Sequence, residues 1–249
     1  MRVSAAEIAA HLSVVDAERQ RRAALPGLLA KVTQLKSFQQ RRFSHTYADL
    51  LASARYGAAA RYFLDELYGP RDFSTRDAQF ARVAPAITRV FPNEVAETIA
   101  ILAELHALSE TLDTATALHV PDGRIVPLDY IQAWQRADRA PDRERQIELT
   151  LRIATHLDRI TRMPMLRNAL RLMRGPARAA GLSEVQRSLE AGFDVFRAMK
   201  GAQEFIALIG SRERALAAAL FAAGGSGRAG DPSMERALVG LAPTAPEAG

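Results

Sequence analysis

Residues 44–68 read SHTYADLLASARYGAAARYFLDELY. Wound as a helix, Tyr47, Leu50, Leu51 and Ala54 share one face. Tyr56, Ala60, Phe63 and Leu67 continue a comparable stripe at the i, i+4, i+7, i+11 spacing of a buried helix side. Gly69-Pro70 ends the pattern, because glycine tolerates the terminal turn and proline cannot extend it. No stretch alternates apolar and polar residues for the length of a useful strand, so helix is the element to expect throughout.

The same reading extends outward in both directions. Ser4, with Glu7 three residues on, forms a capping box before a helix over Ala5–Gln20. Pro26-Gly27 interrupts the chain, and helical pattern resumes from Leu28 to Ser37. Downstream, Ser74 and Asp77 open a helix that Pro85 should bend or split. Asn93 caps a helix to about Leu118, with Ile101, Leu105, Leu108 and Leu112 inward. Beyond the Pro121-Asp122-Gly123 turn, Asp129 and Asp142 each cap a further helix, the second with Ile147, Leu151, Ala154 and Leu157 on one face. Ser183 with Gln186 and the run Phe205, Ile206, Ile209, Leu216, Leu220 mark the last two. The expected fold is an all-α bundle of about eight to ten helices in two closely packed halves, 1–120 and 128–223, sharing one core. Residues 224–249, rich in glycine, proline and alanine, carry too little apolar content to offset ordering entropy and read as a disordered tail.

Composition narrows the chemistry. Hydrophobic residues make up 48% and charged residues 24% of the 249, enough for a sizeable core. The absence of cysteine removes disulfides, thiolate metal sites and thiol nucleophiles, and agrees with a cytoplasmic protein. No apolar run is long enough for a membrane span, and the first residues lack the pattern of a secretory signal. The charge is 33 − 28 = +5, and all the basic residues but Lys31, Lys36 and Lys200 are arginine. Much of the excess is local: Arg143 to Arg178 holds nine arginines against Glu144, Glu148 and Asp158, a balance of 9 − 3 = +6.

The segment YFLDELYGPRDFSTRD, residues 62–77, resembles the signature of an uncharacterised family of bacterial all-α proteins, FFLxxLYGxxDFxxRD in outline. Gly192-Phe193, Met199, Phe205 and Arg212-Glu213 fit the same pattern, so the resemblance spans most of residues 40 to 222. It implies an all-helical fold and transfers no activity, cofactor or catalytic residue.

Three groups of residues are candidates for chemistry. Asp65, Glu66, Asp72, Arg76 and Asp77 crowd ionisable groups around a forced turn, beside Phe63, Tyr68 and Phe73, and could form a polar corner. Arg167, Arg171 and Arg174 share one helix face and could present guanidinium forks to an anionic group. His106 and Glu110, at i, i+4 and continued by Asp113, are weak metal candidates; they lie about 120° from the apolar stripe and are expected on a wet or boundary face. The Glu-x-x-His spacing of di-iron bundles is absent, as are phosphate-loop and nucleophile-elbow motifs. No cofactor is indicated. The first expectation is a non-catalytic binding or scaffold protein whose arginine-rich half meets an anionic or acidic partner; nucleic acid is disfavoured for want of interleaved aromatics, and a homo-oligomer is compatible with the sequence. Two other readings stand beside it. One is a metal- or cofactor-binding enzyme with its site near Asp65–Asp77 and His106, and the other is a carrier of a hydrophobic small ligand.

Overall fold

The computed structural model describes residues 3–67, 74–90, 93–222 and 232–238. The chain folds as α1 (Ala5–Ala24), α2 (Leu28–Thr46), α3 (Ala48–Ala52), α4 (Gly57–Tyr62), a π-helical turn (Phe63–Leu67), α5 (Ser74–Val90), α6 (Asn93–Ala117), α7 (Pro127–Ala137), α8 (Ala140–Ile160), α9 (Pro164–Leu172), α10 (Arg174–Ala179), α11 (Ser183–Ala198), α12 (Gln203–Phe221) and α13 (Pro232–Leu238). Among the described residues there is no strand. The protein is all-α, and its helices pack closely.

The element count exceeds the expected eight to ten because apparently continuous patterns are broken by local bonding. The 44–68 stretch is the clearest case. The backbone leaves helix at Tyr47, and at Ser53 it is extended, with the Ser53 hydroxyl accepting the backbone N–H groups of Arg55 and Tyr56. Arg61 then donates back to the Leu51 carbonyl at 3.0 Å, closing the corner between α3 and α4. At Pro85 the opposite holds. Helix α5 runs through it, and because Pro85 and Ala81 are both exposed, the carbonyl that loses its partner can be solvated. Half of the box read at Ser4 forms, its hydroxyl accepting from Glu7 N–H at 3.1 Å.

The 25-residue helix α6 is the axis. Helices α1 and α8 lie along it, α2, α5 and α7 also pack on it, and α12 packs on the far side of α8. Small residues make this crowding possible: Ala96, Ala100, Ala103, Ala107 and Ala117 are all buried and let backbones approach from several directions. Four apolar clusters surround the centre. One joins Leu28, Val32, Leu35 and Phe38 to Tyr130, Trp134, Leu216 and Leu220, so it draws on both ends of the chain. A second joins α3 and α4 to α8, α11 and α12 through Phe196, Met199 and Phe205. In α11 a side chain at Gly192 would stand 2.7 Å from the Tyr62 hydroxyl, which donates to the Ser188 carbonyl; only glycine admits that approach.

Within the segment expected to be disordered, Pro232–Leu238 forms α13, which packs on α2 and α12 and buries Met234, Ala237 and Leu238 in the first cluster. The rest of the expected tail, 224–231 and 239–249, lies outside the described residues, as do the Gly69-Pro70 stop and Phe91-Pro92. Leu238→Ala should cost about 2 kcal/mol or more of unfolding free energy in urea titration, the range for a buried leucine. A cost near zero would show that α13 is not docked in solution.

Candidate functional site

A cavity of about 280 Å³ occupies the centre of the bundle, where a packed apolar core would ordinarily be. It is lined by residues of α1 to α8, α11, α12 and the π-helical turn. Its walls differ along its length. Helices α6 and α8 run antiparallel, with Gln146 donating to Ser109 (2.8 Å) and Arg143 to Thr116 (2.9 Å) towards one end. Thr98 and His156 (3.1 Å) pair beyond the other. Between these marks the lining residues pass from Asp113, Ser109, Arg143 and Gln146 to Leu102, Leu105, Ile147 and Ile153. Phe43, Phe63, Phe80 and Phe205 add aromatic surface. The space is amphipathic.

The polar end is built from charges buried on helix faces that should be apolar. Glu110, 6% exposed, accepts from Lys36 at 2.5 Å and from Arg22, whose remaining nitrogens reach the Glu110 carbonyl (2.6 Å) and the Thr114 hydroxyl (2.9 Å). Burial alone would raise the Glu110 carboxyl, but Lys36 and Arg22 outweigh it and hold it down at about 2. Asp113, one turn on and 1% exposed, is pushed the other way, above the ordinary aspartate value, by burial and by the neighbouring Glu110 charge, against the pull of Lys36. From α12, Glu213 accepts from Arg42 and from the Tyr47 hydroxyl, each at 2.6 Å. Burial and the Glu213 charge raise the Tyr47 phenol, so it stays a proton donor.

Next to this network Asp77 pairs with His106 Nε2 at 2.9 Å and with Arg19, and these two partners hold the Asp77 carboxyl below its ordinary range despite burial. An imidazole oriented by a carboxylate can hold or pass a proton, and His106 lines the cavity.

Five of seven buried side-chain polar atoms that lack a hydrogen-bond partner among the described residues belong to cavity-lining residues. They are Gln39 Oε1, Arg42 Nε, Asp113 Oδ2, the Tyr130 hydroxyl and Trp134 Nε1. Each such group costs about 1–3 kcal/mol when left dry. Each of these atoms is itself covered by packing.

The expected wet face for His106, Glu110 and Asp113 is thus corrected: α1, α2 and α5 cover that side of α6, so its ionisable groups point into the protein. Of the polar corner, Arg76 and Asp77 reach the cavity, Asp65 is exposed, Glu66 falls in the π-helical turn and Asp72 lies outside the described residues. Among the described residues no group of three or more acidic or histidine side chains could hold a metal ion; His106 and Glu110 are each engaged by Asp77 or by Arg22 and Lys36. Arg167 and Arg174 pair with Asp194 (2.9 Å) and Glu190 (2.5 Å) of α11, and Arg171 is exposed beside them. The local +6 is also dispersed, since Arg143 is buried while Arg145 and Arg162 are paired with Glu104 and Asp158. Sequence reading missed Lys36, Gln39, Arg42, Arg143 and Glu213. A signal existed: Arg42 and Gln39 continue the Leu28, Val32, Leu35 stripe, Arg143 precedes Ile147 by one turn, and Glu213 sits between Ile209 and Leu216.

The opposite shifts of Glu110 and Asp113 make a paired prediction. Glu110, lowered from 4.5 to about 2, contributes stability that is complete above about 4.5 and lost as the pH falls towards 2. Asp113, raised above 3.8, contributes stability present below that value and lost as the pH rises through its folded-state value. Thermal unfolding between pH 2 and 7 should therefore show a flatter acid limb for Glu110→Gln and a relative gain near neutrality for Asp113→Asn. Identical profiles for the two variants would refute the assignment.

Among the described residues no helix is long and apolar enough to cross a membrane. No curated protein and no solved structure matches the chain. One family model, described as "Domain of unknown function (DUF8198)", matches residues 18–226, a span that holds all the cavity-lining residues except Leu12. With most of its length and nearly the whole cavity inside that match, the chain belongs to the DUF8198 family of unknown function.

Proposed function

We propose that this protein binds a small amphipathic organic molecule in its central cavity. The observation that carries this reading is a central space that joins charged and polar side chains to a wall of apolar and aromatic ones. A cavity of about 280 Å³, partly open to solvent, has room for a small organic molecule. An apolar void of about 150 Å³ already takes up benzene. Pockets of this composition, mostly apolar with a few placed polar groups, are the usual form of small-molecule sites. The charged residues here are held by packing and by one another, so the site is pre-organised. Binding, as a carrier or receptor or as the first step of catalysis at the His106–Asp77 pair, is common to every reading of such a site. The arginine face of α9 and α10 has less charge to offer a macromolecular partner, because α11 answers it with Glu190 and Asp194.

Ile209 and Leu189 line the cavity and are only partly buried, so an indole at either position fills the space with little strain elsewhere. Mass spectrometry of organic extracts of the purified protein should show a stoichiometric small molecule in the natural sequence. It should be absent from Ile209→Trp and Leu189→Trp, whose melting temperatures should stay within about 5 °C of the parent. Retention of the same molecule by both tryptophan variants would place its site elsewhere and defeat the proposal.

A further inference from the structure

The cations around the polar end of the cavity are not equivalent. Arg22 and Lys36 share Glu110, and Arg42 holds Glu213. Arg143, 5% exposed and lining the same space, forms no ion pair with any carboxylate among the described residues. Its hydrogen-bond and ring partners are neutral: Nη1 donates to Gln146 Oε1 (3.0 Å), Nη2 donates to the Thr116 hydroxyl (2.9 Å), and the guanidinium lies over the Trp134 ring at 4.2 Å, while the Asp113 carboxyl acts on it only through space. A guanidinium carries five N–H bonds, so three remain without an acceptor. A buried cation with neutral neighbours is costly to keep, by several kcal/mol, unless an anion joins it.

Among the lining residues Lys36, Arg42, Arg76 and Arg143 face Asp77, Glu110, Asp113 and Glu213, and Arg143 alone of these cations has no carboxylate of a described residue within ion-pair distance. One cation without a carboxylate partner matches a singly charged head group better than a phosphate dianion. The planar guanidinium, its carbon 4.2 Å from the Trp134 ring centroid, offers the paired N–H geometry that a carboxylate accepts.

Resting on the cavity as a ligand site, we infer that its ligand is a carboxylic acid, with the carboxylate seated on Arg143 and the hydrocarbon part against the apolar wall around Leu102, Ile153 and Phe205.

The test uses matched probes on the full chain: decanoate against decan-1-ol, and 2-naphthaleneacetate against 2-naphthaleneacetamide, each titrated by calorimetry at neutral pH. The acid of each pair should bind at least about tenfold more tightly than its neutral partner, as one charge-assisted hydrogen-bond pair warrants. In Arg143→Met, whose side chain keeps the stacking volume, that preference should collapse to within about threefold while the neutral probe keeps its affinity. Arg143→Lys, which keeps the charge and loses the fork, should retain an intermediate preference. It also serves as the readout should the methionine variant fold poorly. Equal binding of acids and neutral analogues by the natural sequence overturns the carboxylate seat and leaves the cavity reading standing. Absence of binding by all four probes overturns both. A preference that survives Arg143→Met unchanged assigns the anion to another cation and refutes the role of Arg143.

Discussion

Glu110 is the point on which the architecture turns. Its carboxylate receives Arg22 from α1 and Lys36 from α2, and its carbonyl receives Arg22 again, so one residue of α6 ties the first two helices to the axis. A carboxylate in that position without both cations would carry the full cost of a buried charge, and either cation without the carboxylate would do the same. The three groups therefore specify one register of α1 and α2 against α6. Glu110, Asp113 and Lys36 all line the cavity.

The surrounding apolar clusters supply cohesion without filling the middle. Phe38, Tyr130 and Trp134 stack in sequence on one side, with ring centroids 4.9 and 5.7 Å apart, and Phe63, Phe196 and Phe205 form a second aromatic set on another. Rigid aromatic walls of this kind resist collapse into the space between them. The unmet polar atoms would otherwise favour rearrangement until they found partners, so their persistence in one place is a property of the packed frame around them.

Much of the fold was legible along the chain. Ser4 and Glu7, the Pro121-Asp122-Gly123 turn and the stripes of α2, α6, α8 and α12 are local signals, because capping and helical periodicity involve residues within a turn or two of one another. The breaks at Tyr47 and Ser53 escaped notice: a serine that accepts backbone N–H groups looks the same in sequence as one exposed on a helix. The site was legible only in fragments. His106 and Asp77 were singled out separately, and what joins them is the packing of α5 on α6, which no spacing within either helix announces.

Alone, the sequence determined an all-helical chain, the starts of most helices, and the absence of thiol chemistry and of a long apolar span. These follow from near-neighbour geometry and composition. Tertiary structure alone decided which charges are buried. Arg22 meets Glu110 across 88 residues and Arg42 meets Glu213 across 171, and a polar side chain on an apolar stripe is an error or a site depending on whether such a distant partner arrives. The physical reason is that burial of charge is paid by pairing, and pairing is a property of the packed helices, not of any one of them.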